Sequence, residues 1–145
     1  MTRTPSQTVG PFFAFSLCER LANELVSGGI SLAGRVLDGT GEPVDDALVE
    51  LWHPAVGFGR CGTDAEGRFE FLVAEPPDRY FEVMVFARGL LKHVVTRVYF
   101  PGASDAFLDS LDERDRATLV ARSEDDSLRF DIHLQGERET VFFAL

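Results

Sequence analysis

The sequence predicts an all-β protein, a β-sandwich with one short helix near the C-terminus and an irregular N-terminal arm. Three observations carry this. Segments of six to eight residues alternate apolar and polar side chains, the period of a half-buried strand. Gly-, Asp- and Pro-rich turns punctuate them at the short spacing that sandwiches use. Only one stretch of the chain carries a helix-start pattern before a run long enough for a few turns.

The elements follow in order. Residues 1–29 read as an arm with a short helix, and residues 30–145 as the sandwich, a single domain in all. Pro5, Gly10 and Pro11 forbid regular structure, yet Phe12, Phe13 and Phe15 follow at once. Aromatic rings so close together pack onto something, because each is worth ~2 kcal/mol or more when buried. A helix from Glu19 to Leu25 is expected before Gly28 and Gly29 end it. Ile30–Leu37 is the first strand, and the turn Asp38–Pro43 combines glycine freedom with a fixed proline φ. Ala47–Trp52 is the second strand, Gly59–Thr63 a short third, and Asp64–Gly67 a hairpin turn into Arg68–Val73. Tyr80–Ala87 is the strongest strand pattern, followed after Arg88-Gly89 by His93–Phe100. Ser110-Leu-Asp-Glu113 has the form of a capping box and opens a helix over Leu111–Arg122. Leu128–Leu134 alternates with Phe130, Ile132 and Leu134 on one face, and Val141–Phe143 closes the apolar pattern. The aromatic head and this closing piece are expected at a subunit interface, since large apolar patches are seldom left in water.

Composition narrows the function. The chain of 145 residues has 14 Lys and Arg against 24 Asp and Glu, a formal net charge of −10. Such a surface repels phosphate backbones and anionic lipid, which argues against nucleic-acid and membrane partners. No apolar run reaches the ~18 residues of a membrane helix, and the N-terminus lacks the apolar core of a signal peptide. Two cysteines without a Cys-x-x-Cys make no disulfide framework, so a cytoplasmic location is expected.

No single motif carries the chemistry. Asp131 and His133 share a strand face and could offer two metal ligands, but Arg129 and Gln135 lie there too, and a solvated face is the better reading. His53, between Trp52 and Pro54, reads as turn-stabilising, and His93 beside Lys92 is a somewhat better functional candidate. Arg88 ends the strongest strand, where a guanidinium can hold a carboxylate by two parallel hydrogen bonds or simply pair with a surface acid.

Several blocks, taken together, resemble a known family. Thr4-Pro-Ser-Gln-Thr-Val-Gly-Pro11, Phe86-Ala-Arg-Gly89, His93–Phe100, Arg129-Phe-Asp-Ile132 and Gln135–Phe143 are similar, in the same order, to α subunits of intradiol ring-cleavage dioxygenases of the protocatechuate 3,4 type. Val49-Glu-Leu-Trp52 and Gly62–Gly67 are similar too, though both also occur in transthyretin-like sandwiches. The resemblance implies paired α and β chains of one sandwich fold. It implies an Fe(III) held by two Tyr and two His of the β subunit, and an α subunit that has lost those ligands and completes the site from the side. The two β-chain histidines match Tyr80 and Glu82, and no Tyr lies between Trp52 and Pro77 where the tyrosines would come. The resemblance therefore implies no metal ligands and no catalytic residue in this chain alone. It implies substrate-lining roles for Thr8, Gly10, Pro11 and Phe12, and a carboxylate contact from Arg88. The partners implied are a β subunit, protocatechuate and O₂. The chain departs by being shorter, between Cys18 and Ile30 and around Ala55–Phe58, and by having Phe12 where the family has Tyr. The rival expectations are a transthyretin-like binding module without an enzyme, and a self-sufficient iron enzyme, which the missing tyrosines disfavour.

Overall fold

The structure, a computed structural model, describes Pro5, Gly10, Leu17 and residues 22–144. Among the described residues, nine strands form two sheets. The first sheet contains β1 (Ile30–Leu37), β4 (Arg68–Val73), β7 (Arg122–Glu124), β8 (Ser127–Arg129) and β9 (Ile132–His133). Its order is β4-β1-β8-β7, with β9 also on β1. The second sheet runs β3-β2-β5-β6, from β2 (Leu48–His53), β3 (Gly57–Gly62), β5 (Tyr80–Phe86) and β6 (Val94–Tyr99). Alternation decides what each strand buries. Phe81, Val83 and Val85 of β5 face Phe69, Phe71 and Val73 of β4 in one core that also takes Leu32, Val36, Val49, Leu51 and Ile132.

The expected Leu128–Leu134 strand keeps its face but not its continuity. Both halves run parallel to β1 in one register, Leu32 opposite Leu128 and Val36 opposite Ile132. Between them the Asp131 carboxylate accepts the Arg35 backbone N–H at 3.0 Å in place of a carbonyl, and this splits the strand into β8 and β9. A β7–β8 hairpin, turning through Asp125 at φ 51°, precedes it.

Both expected helices are corrected. Of the Glu19–Leu25 helix, residues 19–21 lie outside the described residues, and 22–25 form a turn and an isolated bridge instead. Glu24 bridges Leu72 in parallel, Leu25 N–H donates to Leu72 O and Arg60 N–H to Ala22 O. This segment therefore covers the edges of β3 and β4, and edge pairing outcompetes a short helix that has no packed face. The C-terminal helix α1 covers only Glu113–Ala117, behind a 3₁₀ turn at Leu108–Ser110. Asp112, not Ser110, is its N-cap and accepts from Asp115 N–H, while Ser110 Oγ donates to Phe107 O. The helix stops early because the next residues join β6: Tyr99 N–H donates to Leu119 O and Ala121 N–H to Tyr99 O. Leu108, Leu119 and Tyr99 thereby build a second, smaller core on the outer face of β6.

The Val141–Phe143 end, expected at a subunit interface, is half-buried against its own chain. It packs within the chain: Phe143 N–H donates to Val95 O at 2.8 Å, Thr96 Oγ1 donates to Val141 O at 2.7 Å, and the Phe143 and Phe107 rings lie 5.0 Å apart. Among the described residues no helix is long and apolar enough to cross a membrane.

Candidate functional site

The outer face of the second sheet holds the residues of most interest. Alternation sends Tyr80, Glu82 and Met84 of β5 away from the core, and the β5–β6 register sets Arg97 directly across from Glu82. The Arg97 guanidinium lies 4.3 Å from the centre of the Tyr80 ring and donates to Tyr99 Oη at 3.1 Å. Tyr99 Oη in turn donates to Asp105 at 2.9 Å, and Phe143 packs against the same guanidinium. Burial pushes the Tyr99 phenol above its ordinary value. Burial also opposes ionisation of Asp105, but the Leu108 N–H, the Tyr99 hydroxyl and the Arg97 charge outweigh it and hold the carboxyl below the usual aspartate range.

These residues do not fit a ferric ion. A fixed cation stacked on Tyr80, and in register with Glu82, repels a trivalent metal from the only oxygen ligands the matching positions offer. Among the described residues no group of three or more His, Cys, Asp and Glu is placed to hold a metal. Sequence reasoning missed Arg97. The antiparallel register of two strands joined by a short turn was the signal that could have placed it beside Glu82.

Around this centre the sheet is open on one side. The 3₁₀ turn, the Leu119–Ala121 segment and the C-terminal segment cover β6, whereas Trp52 and Phe58, opposite each other on β2 and β3, are 42% and 48% exposed. Beside them Glu50 is buried and accepts from Arg60 Nε at 2.8 Å.

Arg88 sits just past β5 in the turn before Gly89. Its side chain is 66% exposed, with Nε 2.9 Å from Asp46 Oδ2. Asp46 precedes β2, the neighbour of β5, so both belong to one end of the sandwich. Gly10 has φ +76° and is half-buried, a left-handed conformation that suits glycine. Thr8, Pro11 and Phe12 lie outside the described residues.

The histidines divide. His53 is buried, its Nδ1 accepts Ala55 N–H at 3.1 Å, and its Nε2 is 3.6 Å from Asp78 Oδ2, which suits the turn-holding role. His93 stacks at 5.0 Å on Phe86. Asp131 is no free ligand: Arg129 donates to its Oδ1 through Nε and Nη2, at 2.8 and 2.7 Å. His133 lines a cleft beside Arg138, and burial first, then that guanidinium, lower its pKa.

No protein-family model matches the chain. The protocatechuate 3,4-dioxygenase alpha chain of Burkholderia cepacia is 34% identical over 192 aligned positions, which take in 99% of this chain and 98% of that one. The alpha chain of the same enzyme from Pseudomonas putida is 30% identical, over 99% and 96%. The Burkholderia cepacia beta chain is 32% identical over 77% of this chain and 66% of its own length. With 192 aligned positions against 145 residues, the relatives carry insertions that this chain lacks. Among solved structures, the dioxygenase domain of a carbohydrate-binding fusion protein from Streptomyces sp. SirexAA-E superposes with TM-score 0.62 at 25% identity, covering 93% of this chain and 99% of that one. Hydroxyquinol 1,2-dioxygenase from Pseudomonas putida DLL-E4 shares the fold, with TM-score 0.57 at 20% identity over 90% and 65%. Full-length identities of 34% and 30% to two alpha chains, on a sandwich shared with ring-cleaving dioxygenases, place the chain in the family of protocatechuate 3,4-dioxygenase alpha chains.

Proposed function

We propose that the chain is the α subunit of a cytoplasmic protocatechuate 3,4-dioxygenase and completes a site whose Fe(III) is held by a β subunit. The observation that carries this is the identity to two alpha chains over 99% of the chain. Arg97, stacked on Tyr80 where a ligand would stand, supports a division of labour in which this chain holds no iron. The reaction opens the aromatic ring between its two hydroxyl-bearing carbons and incorporates both atoms of O₂. The iron of the β subunit supplies the activation of substrate and oxygen.

This chain's contribution is binding and orientation. Thr8, Gly10, Pro11 and Phe12 are the substrate-lining residues proposed for this chain, by resemblance to the family's opening block. Arg88 supplies the cation for the substrate carboxylate. Its partner Asp46 leaves the rest of the exposed guanidinium free to donate. The test is co-expression with a β chain carrying the paired Tyr and His ligands. A stable complex that contains iron and consumes O₂ with protocatechuate is expected. A β chain that is equally active alone would overturn the reading.

A further inference from the structure

The cleft that His133 lines lies between α1, β7–β9 and the segment leading to Thr140. Its volume is about 560 Å³, within the usual range for small-molecule sites. Four arginines line it, Arg114, Arg122, Arg129 and Arg138, against two acids, Asp131 and Glu137. This is a local excess of positive charge on a chain whose net charge is −10. That excess falls on Arg114, Arg122 and Arg138. Asp131 is spent on Arg129 and on the Arg35 backbone N–H, and reaches Arg122 only at 3.5 Å. Arg114 donates to a neutral acceptor, the Glu137 carbonyl. Arg138 is exposed on the rim and makes no ion pair among the described residues, while its charge bears on His133 in the wall. The floor differs in kind: Ala117, Ala121 and Phe130 present hydrocarbon between the guanidiniums. A low-dielectric floor with a cationic rim focuses field lines and draws anions that the rest of the surface repels. Guanidiniums from three separate elements match planar carboxylates better than a single spherical ion.

We infer that this cleft is a binding site for a small organic anion with carboxylates on a flat apolar body, held by Arg114, Arg122 and Arg138 over Ala117, Ala121 and Phe130. The inference does not rest on the catalytic reading, because none of these residues belongs to that site. The test is calorimetric titration of the full chain, or of its complex with a β chain, using three probes: benzene-1,3-dicarboxylate, its neutral diamide and inorganic phosphate. The dicarboxylate should bind once per chain, phosphate at least about tenfold more weakly, and the diamide not at all. The double variant Arg122→Gln/Arg138→Gln should weaken the dicarboxylate at least about tenfold. So should Ala117→Phe, which fills the floor and leaves every charge in place. Arg88→Gln should change nothing, which separates this cleft from the proposed catalytic site. Equal binding of phosphate and dicarboxylate, affinity untouched by either cleft variant, loss with Arg88→Gln, or no saturation up to 10 mM probe would each overturn the inference.

Discussion

Arg88 and Arg97 are both arginines on or beside the central β5–β6 pair, and their surroundings give them opposite roles. Arg97 is half-buried, stacked on Tyr80 and hydrogen-bonded to Tyr99, so its charge is committed to the fold. Arg88 is mostly exposed with one acidic neighbour, and an exposed ion pair of that kind is worth at most ~1 kcal/mol. Arg88→Ala should therefore leave the melting temperature of the assembled enzyme within a few degrees. Protocatechuate differs from catechol by one carboxylate, so kcat/KM for protocatechuate should fall by about one to two orders of magnitude and catechol turnover should hardly move. Asp46→Asn removes the competing anion and should not lower protocatechuate turnover. Equal losses for both substrates, or a large loss of stability with kinetics intact, would assign Arg88 a structural role. Arg88 was legible from its place at a strand end. Its partner was not, because Asp46 is adjacent only once β2 and β5 have paired.

Strands were legible wherever one face is buried and the other wet, as in β1, β4 and β5, because alternation then dictates the bounds. The helix over residues 111–122 was misread because Leu119 and Ala121 look equally apolar as a helix face and as partners of β6. What holds the parallel β1 pairing is a close approach that only glycine allows. A Cβ on Gly34 would sit 1.7 Å from the Phe130 carbonyl oxygen, and backbone cannot step aside as a side chain can. Gly34→Ala should cost about 3 kcal/mol or more, read as a melting temperature lower by roughly 10 °C. An unchanged melt would mean that β1 and β8 are not paired this closely. A pH effect belongs to the second core. Asp105 ionises more readily folded than unfolded, so its contribution is complete above the ordinary carboxyl value of ~4 and is lost as pH falls through the folded one. Asp105→Asn should destabilise at neutral pH and flatten the decline in urea stability between about pH 5 and pH 3. A parallel decline in both proteins would show that the carboxylate contributes nothing.

At the scale of the whole molecule, the chain has the two sheets of a ring-cleaving dioxygenase, with Arg97 stacked on Tyr80 on the outer face of the second. The sandwich and the family were legible in the sequence, because alternation and the opening and closing blocks survive in linear order. The Arg97–Tyr80 stack was not, since the two residues meet only through strand pairing. The open side, with Trp52 and Phe58 exposed, offers the aromatic anchors that subunit interfaces favour. Expressed alone, the chain should self-associate or precipitate, and a β chain should bring it into a soluble complex. A well-behaved monomer at high concentration would count against that. The isolated chain should also be colourless after iron loading. A ferric centre of this chemistry needs phenolate and imidazole ligands in fixed geometry, and here the one phenol at a matching position lies under a guanidinium. The complex with a β chain should instead show a visible tyrosinate-to-iron band and bind one iron per αβ pair. Replacing Arg97 with Gln in the isolated chain removes the repelling charge but supplies neither missing tyrosine nor histidine, so it should remain colourless too. Stoichiometric iron with a visible band in the isolated wild-type chain would refute the division of labour. The same band appearing only in the Arg97→Gln variant would show instead that the guanidinium alone keeps the metal out.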